Sequence, residues 1–235
     1  MIFAVILAGG TGSRMGSTDM PKQFLEIKGK PILNHTIEKF LPNPQFEKII
    51  VLSPKAWIGH TKEIIRKYTG KSDRIAVIEG GVTRNETIMN AIRWIDGQYG
   101  LDDDTVIVTH DSVRPFLTHR IIDENIKAAQ QYGACDTVIP ATDTIVEGDA
   151  SAITAIPDRR RMYQGQTPQS FKAKLLRDTY DSLSDEEKDI LTDAAKILVM
   201  KGMEVRLVKG ETFNIKITYP YDLKIARSLL DEETE

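Results

Sequence analysis

Residues 1–25 read MIFAVILAGGTGSRMGSTDMPKQFL. An apolar run, Ile2-Phe3-Ala4-Val5-Ile6-Leu7, leads directly into Ala8-Gly9-Gly10-Thr11-Gly12-Ser13-Arg14-Met15-Gly16. Six apolar residues ending in glycines suit a buried parallel strand that stops at a sheet edge. Glycine lets backbone N–H groups approach a ligand closely, because no Cβ intervenes. Successive N–H groups in such a turn form a concave anion site. Arg14 offers a planar fork for phosphate oxygens and Lys22 a compact point charge. The stretch therefore reads as a polyphosphate site at the end of the first strand. It lacks the GxxxxGK[ST] run of a P-loop and the third glycine of GxGxxG. The dinucleotide reading, and with it an NAD-dependent dehydrogenase, fails on that glycine and on a missing ribose-binding acid about twenty residues on.

The chain has 235 residues, 41% of them hydrophobic, and a formal net charge of −3. That is enough for one substantial core, so a single domain over residues 1–235 is expected. The charge balance suits neither a nucleic-acid nor a membrane-surface binder. The single cysteine, Cys135, excludes an internal disulfide framework and reads as a small buried residue. The first residues do not suit a signal peptide, and no apolar run is long enough to span a bilayer. A cytoplasmic location is expected.

Strand and helix patterns alternate along most of the chain. Strands are predicted at 24–27, 48–53, 74–79, 105–109, 135–140, 204–208 and 214–218. Helices are predicted from Pro31 to Phe40, and over 58–68, 85–96, 118–132, 172–183, from Thr192 as N-cap, and over 223–230. A hairpin is predicted from strands at 144–146 and 152–154 joined by Glu147-Gly148-Asp149. The polar stretch Tyr163-Gln164-Gly165-Gln166-Thr167-Pro168-Gln169-Ser170-Phe171 reads as a shaped loop. Alternation of this kind implies an α/β fold: a Rossmann-like, mostly parallel central sheet with helices on both faces. The hairpin interrupts it and should project as an arm, at about 137–160. A second subunit is the simple cover for the arm's apolar side.

Two further polar clusters follow strand ends. One is Gly80-Gly81-Val82-Thr83-Arg84-Asn85, whose glycines repeat the logic of the first loop. Thr87 could read a base edge or cap the following helix, and Arg84 could bind a ligand or sit solvated. The other is His110-Asp111-Ser112-Val113-Arg114-Pro115. Asp111 offers hard oxygens for Mg²⁺, which favours few carboxylates together with phosphate oxygens and water. Arg114 could neutralise an anionic substrate; an Asp–Arg ion pair plus a cap is the alternative. Lys216, in an otherwise apolar stretch, is either solvated or a ligand contact. Ligands of open α/β sheets bind beyond the carboxyl ends of the strands, so the three clusters should meet in one crevice.

LAGGxGxRM, PKQ, GGxxR, HDxxRP, QTPQ, TDxA and NxKxT occur in this order over essentially the whole chain. In this the sequence resembles the cytidylyltransferases that join CTP to a small polyol phosphate, with Mg²⁺, giving a CDP-polyol and pyrophosphate. The resemblance implies that Leu7, Ala8, Gly9, Gly10, Thr11 and Gly12 cradle the triphosphate. It implies Arg14, Lys22 and Lys216 as the catalytic cations, and Gly81 and Thr87 against cytosine, with Arg84 and Asn85 also on the CTP. Asp111 would link metal and acceptor. Arg114, Thr167 and Arg159 would hold the polyol phosphate, Arg159 reaching the partner's site from the arm of a homodimer.

Departures separate two branches of the group. The methylerythritol-phosphate branch usually carries a lysine where Asp143-Thr144-Ile145 is followed here by Val146. It usually has D-A-A-R-P where this chain has Asp111-Ser112-Val113-Arg114-Pro115. Acidic residues are usual there at the positions of Val82 and Phe213. The segments Tyr163-Gln164-Gly165-Gln166-Thr167-Pro168-Gln169 and Ser182-Leu183-Ser184-Asp185-Glu186-Glu187-Lys188 look like the ribitol-5-phosphate branch, which serves teichoic-acid synthesis. Ribitol 5-phosphate is thus the expected acceptor and 2-C-methyl-D-erythritol 4-phosphate the alternative. A non-catalytic nucleotide-binding module is opposed by the joint presence of Arg14, Lys22, Asp111 and Lys216.

Overall fold

The computed structural model describes residues 1–10 and 20–232. The elements run β1 (Ile2–Leu7), a small hairpin of β2 (Glu26–Ile27) and β3 (Lys30–Pro31), α1 (Ile32–Phe40), β4 (Lys48–Ser53), α2 (Ile58–Thr69), β5 (Ile75–Glu79), α3 (Arg84–Tyr99), β6 (Val106–Asp111), α4 (His119–Tyr132) and β7 (Ala134–Pro140). A separate hairpin, β8 (Glu147–Gly148) and β9 (Ile153–Ala155), precedes β10 (Tyr163–Lys172). The chain closes with α5 (Ala173–Asp181), α6 (Asp185–Asp189), α7 (Ala194–Met200), β11 (Arg206–Lys209) and α8 (Pro220–Glu232).

Among the described residues the central sheet has seven strands, ordered β11-β7-β10-β6-β1-β4-β5. β10 runs antiparallel to both its neighbours, β6 and β7, and the other pairs are parallel. The period of two in each buried strand divides its side chains between two cores. Ala4 and Ile6 of β1, with Ile49 and Val51 of β4, pack toward Leu33, Ile37 and Phe40 of α1 and Ile121, Ile122 and Ile126 of α4. Phe3 and Val5, with Ile50 and Leu52, pack toward Ile88, Ile92 and Ile95 of α3 and Leu176 of α5. Full burial of one such side chain stabilises the fold by roughly 2 kcal/mol. A third cluster, Ile27, Ile32, Val113, Phe116, Ile217 and Ala226, fixes the small hairpin and α8 against the loop after β6.

Register aligns the functional ends of the strands. Leu7 is opposite both Leu52 and Asp111, and Ser53 is opposite Glu79. The chain goes from β1 outward to β4 and β5, then returns to β6 on the other side of β1. Strand order therefore reverses between β1 and β6, which opens a crevice beyond their carboxyl ends. Among the described residues no helix is long and apolar enough to cross a membrane.

Several sequence expectations are corrected. The stretch expected as a shaped loop is β10, with Gln169, Ser170 and Phe171 in register with both β6 and β7. From Gln166 onward its polar side chains are buried, and partners across the fold take them up: Ser170 Oγ donates to Asn125 Oδ1 at 3.0 Å, and Gln166 Nε2 to the Glu211 carbonyl at 2.8 Å, while Gln169 keeps its oxygen unpartnered among the described residues. The expected final strand at 214–218 lies outside the sheet. Ile217 N–H donates to the Val113 carbonyl at 2.9 Å, and its side chain joins the third cluster. In the arm, pairing falls at Glu147–Gly148 rather than 144–146, because Asp149 Oδ1 accepts from Ser151 and Ala152 N–H and closes the turn. Residues 137–140 belong to β7, so the arm begins after Pro140. Only Glu26–Ile27 of the expected first short strand pairs, since Lys22–Phe24 forms a 3₁₀ turn. Asp193, not Thr192, caps α7 through Ala195 N–H at 2.9 Å. The short α6 was not expected from the sequence; Ser184 and Glu187 form its capping box.

Candidate active site

The ends of β1, β5 and β6 surround a cleft of about 360 Å³. Leu7, Gly9 and Gly10 form one wall and Gly81 to Arg84 another, with Asp111, Ser112 and Val113 between them. Lys22 and Gln23 enter from the 3₁₀ turn, and Lys216 from the segment before α8. Gln23 Nε2 donates to the Ala8 carbonyl at 2.6 Å, tying the Pro-Lys-Gln turn to the glycine loop. That link accounts for the glutamine of the PKQ motif, which sequence reasoning gave no role.

The second glycine loop is built by the helix that follows it. Thr83 caps α3 by accepting from Glu86 N–H, and Glu86 accepts in return from Thr83 N–H. Thr87 Oγ1 accepts from Gly81 N–H at 2.9 Å and donates to the Thr83 carbonyl at 2.8 Å. Thr87 is not the cap, which is Thr83; its hydroxyl folds the loop, and the residue also lines the cleft. At Gly81 a Cβ would lie 2.5 Å from Glu86 Cβ and 2.7 Å from Glu86 C, so no other residue fits the turn.

Asp111 is the electrostatic centre. Lys216 Nζ is 2.9 Å from Oδ2, Arg114 Nε 3.5 Å from Oδ2, and Arg84 Nε 3.7 Å from Oδ1. Burial alone would raise this carboxyl; Arg84, Lys216 and Arg114 outweigh it and hold the group well below the usual carboxylate range. Its backbone is held from behind. Asp111 N–H donates to Thr167 Oγ1 at 3.1 Å, which leaves the Thr167 proton for His110 Nδ1 at 2.9 Å. His110 Nε2 then carries the ring proton and donates to the Arg114 carbonyl at 3.0 Å. Burial lowers His110 to about 4, so this ring is neutral and structural.

The sequence-named residues thus divide. Leu7, Gly9, Gly10 and Gly81 line the cleft, the three glycines with backbone alone. Lys22, Arg84, Thr87, Asp111 and Lys216 line it as well. Ala8 is buried behind the wall, and Asn85 is buried beside it with Oδ1 unpartnered among the described residues. Arg114 is buried and spends its guanidinium on Asp111 and on the Asn214 carbonyl at 2.8 Å, which is the ion-pair reading. Thr167 is buried with its hydroxyl committed. Arg159 is exposed on the arm side and donates to the Thr142 carbonyl at 2.7 Å. Thr11, Gly12 and Arg14 lie outside the described residues.

Among the described residues, three cations facing the cleft against one carboxylate suit a polyanionic ligand. Among the described residues no group of three His, Cys, Asp or Glu side chains could cage a metal. One buried-edge carboxylate fits Mg²⁺ in its usual mode, with most ligands from phosphate and water.

A cleft of this composition, at this place in the sheet, meets its counterpart in a known family. Residues 2–232 match the family profile described as IspD: 2-C-methyl-D-erythritol 4-phosphate cytidylyltransferase. The chain belongs to this family. It is a cytidylyltransferase, and its α/β sheet is the family's nucleotidyltransferase fold. Among solved structures it is similar to 4-diphosphocytidyl-2C-methyl-D-erythritol synthase from Anaerococcus prevotii, at 27% identity over 98% of this chain and 96% of that one, with a TM-score of 0.79. It is similar to 2-C-methyl-D-erythritol 4-phosphate cytidylyltransferase from Francisella tularensis, at 28% identity over 97% and 98%, TM-score 0.80. The Thermus thermophilus enzyme of the same name aligns at 25% identity over 97% and 98%, TM-score 0.72.

Proposed function

We propose that the protein transfers CMP from CTP to a small polyol phosphate, with D-ribitol 5-phosphate as the acceptor. A phosphate oxygen of the acceptor forms a bond to the α-phosphorus of CTP. The α–β phosphoanhydride bond breaks in line, and pyrophosphate leaves with its electron pair. A phosphate monoester dianion needs no strong base, which agrees with a cleft that offers cations rather than a catalytic pair. The observation that carries the reading is the convergence of Lys22, Arg84 and Lys216 on a cleft whose one carboxylate among the described residues, Asp111, is kept ionised.

In this reading the walls at Gly9–Gly10 and Gly81 receive the nucleotide. Lys22, Lys216 and Arg14 neutralise the charge that develops on the phosphates, and Arg114, through Asp111, keeps the acceptor side of the cleft in shape. Asp111 would hold Mg²⁺ jointly with phosphate oxygens; bound there, the ion would screen the charge between nucleotide and acceptor. The arm exposes Val146, Ile153 and Ile156, each by more than half. These support a second copy of the chain as their cover, with Arg159 delivered to the partner's cleft. Arg159→Ala mixed with Lys22→Ala should then regain turnover, read after verified subunit exchange; no recovery would remove Arg159 from the partner's site.

The acceptor has a second reading. The family profile and the similar structures carry the name of 2-C-methyl-D-erythritol 4-phosphate, so the comparisons favour that acceptor over ribitol 5-phosphate. The residues argue the other way: Val146 stands where a lysine is usual in that branch, and Phe213 where an acidic residue is usual. An equimolar mixture of the two acceptors with CTP and Mg²⁺, analysed by mass, tests the choice. CDP-ribitol as the major product supports the ribitol reading, and the methylerythritol adduct as the major product replaces it.

A further inference from the structure

Behind the cleft lies a second carboxylate to which the reaction gives no role. Asp136 is on β7, directly opposite Gln169 of β10, and their side chains form a cross-strand pair. Asp136 Oδ1 and Gln169 Oε1 are both buried and both without a hydrogen-bond partner among the described residues. The Gln169 amide nitrogen is spent on Asp193, at 2.8 Å from Oδ1 and 2.9 Å from Oδ2. Turning the carboxamide over would set its oxygen against that carboxylate, so the orientation is fixed. Asp193 in turn lies 3.9 Å from Arg84 Nη1, whose Nε faces Asp111. Two buried oxygens in one cross-strand pair, each without a hydrogen-bond partner among the described residues, are costly unless one carries a proton.

Resting on the reading of the cleft as a CTP site, we propose that Asp136 is a positioning residue that works as a neutral carboxylic acid. Its proton is donated to Gln169 Oε1, and the chain Asp136–Gln169–Asp193 holds Arg84 at the rim of the cleft. Asp193 at the start of α7 disfavours a second negative charge; the Gln169 side chain, Arg84, Arg114 and the Thr137 backbone act in the opposite sense and are outweighed. Its neighbours Gln169 on β10 and Leu207 on β11 are uncharged. Cys135, the adjacent residue, is pushed up to about 12 by burial and stays a thiol. Burial first, and Asp193 second, raise Asp136 to about 7. The proton is therefore retained below neutrality and lost above it. Loss adds a second negative charge to that of Asp193 on the side of Arg84 away from Asp111, which draws the guanidinium from the cleft and places negative charge behind a polyanion site.

The test compares kcat/KM for CTP against pH in the wild type and in Asp136→Asn. The asparagine stays neutral and can donate an N–H to Gln169 Oε1. Ionisation of CTP and of the acceptor cancels in the ratio of the two enzymes. Relative to the variant, the wild type should lose about tenfold between roughly pH 6 and 8.5, on either side of the titration. A ratio that stays constant overturns the proposal. Carboxyl-¹³C aspartate labelling of the wild type gives a readout independent of turnover and of the variant's folding. One aspartate carboxyl titrating near 7 supports the proposal; none titrating above about pH 5.5 overturns it. Should the wild type show no CTP turnover, the proposed function fails, while the labelled carboxyl still decides whether Asp136 holds its proton.

Discussion

Asp111 and Asp136 are both buried or nearly so, in strands separated only by β10, and they titrate in opposite directions. Desolvation raises both. Asp111 has Arg84, Lys216 and Arg114 around it and remains a carboxylate under all ordinary conditions. Asp136 has Asp193 as its nearest charged influence and rises to about 7. The same residue type in the same sheet is thus an ion at the mouth of the cleft and an acid behind it. Burial sets the upward sign at Asp136, and only the three cations around Asp111 reverse it there.

That contrast can be broken from either side. The largest effect is expected from Asp111→Ala, which strands three cations at a partly buried site. Turnover should fall by at least about a thousandfold, and urea unfolding should show a loss of about 3 kcal/mol. Lys216→Ala removes one cation and keeps the carboxylate, so steady-state kinetics should show a fall of roughly a hundredfold with little loss of fold. On the other side, the sign for Asp136 follows from its raised value. The native state holds a proton there that the unfolded chain gives up near 4, so its contribution to stability is present below 4 and lost as pH rises to about 7. Asp136→Asn should therefore exceed the wild type at about pH 8.5 by on the order of 2 kcal/mol, and the gap should close at about pH 4. Asp111 runs the other way: its contribution is present above about 4 and is lost only in strong acid. The smallest effect is expected from Ile153→Ser on the arm, far from either carboxylate in the sheet order. Chain stability should change by less than about 0.5 kcal/mol, while self-association measured by sedimentation should weaken.

The sheet is legible in the sequence wherever a strand is apolar on both faces. β1, β4 and β6 carry apolar runs, and the glycines after β1 and the aspartate that ends β6 mark the crevice from the amino-acid order alone. β10 was hidden because its inward residues, Gln166, Thr167, Gln169 and Ser170, are polar and find partners only across the fold. The segment at 214–218 misled in the opposite way: its alternation is that of a strand, but Ile217 is used in a cluster beneath Val113. Lys22, Asp111 and Lys216 were readable as motif members. Gln23, His110 and Asp193 stood in motifs without a role of their own, and Asp136 in none, because each acts through a contact distant in sequence, as Asp136 does with Gln169 and Gln169 with Asp193. The glycine loop's Arg14, named from sequence, falls outside the described residues, so the case for the cleft rests on the cations from its other walls.

The most direct measurement is pyrophosphate release from CTP and Mg²⁺ by the wild-type protein, with and without a polyol phosphate, beside Lys22→Ala. Release that requires D-ribitol 5-phosphate or 2-C-methyl-D-erythritol 4-phosphate, and that falls by roughly two orders of magnitude or more in the variant, is the expected result. Absence of acceptor-dependent release with either polyol phosphate, or near-normal release from Lys22→Ala, would contradict it.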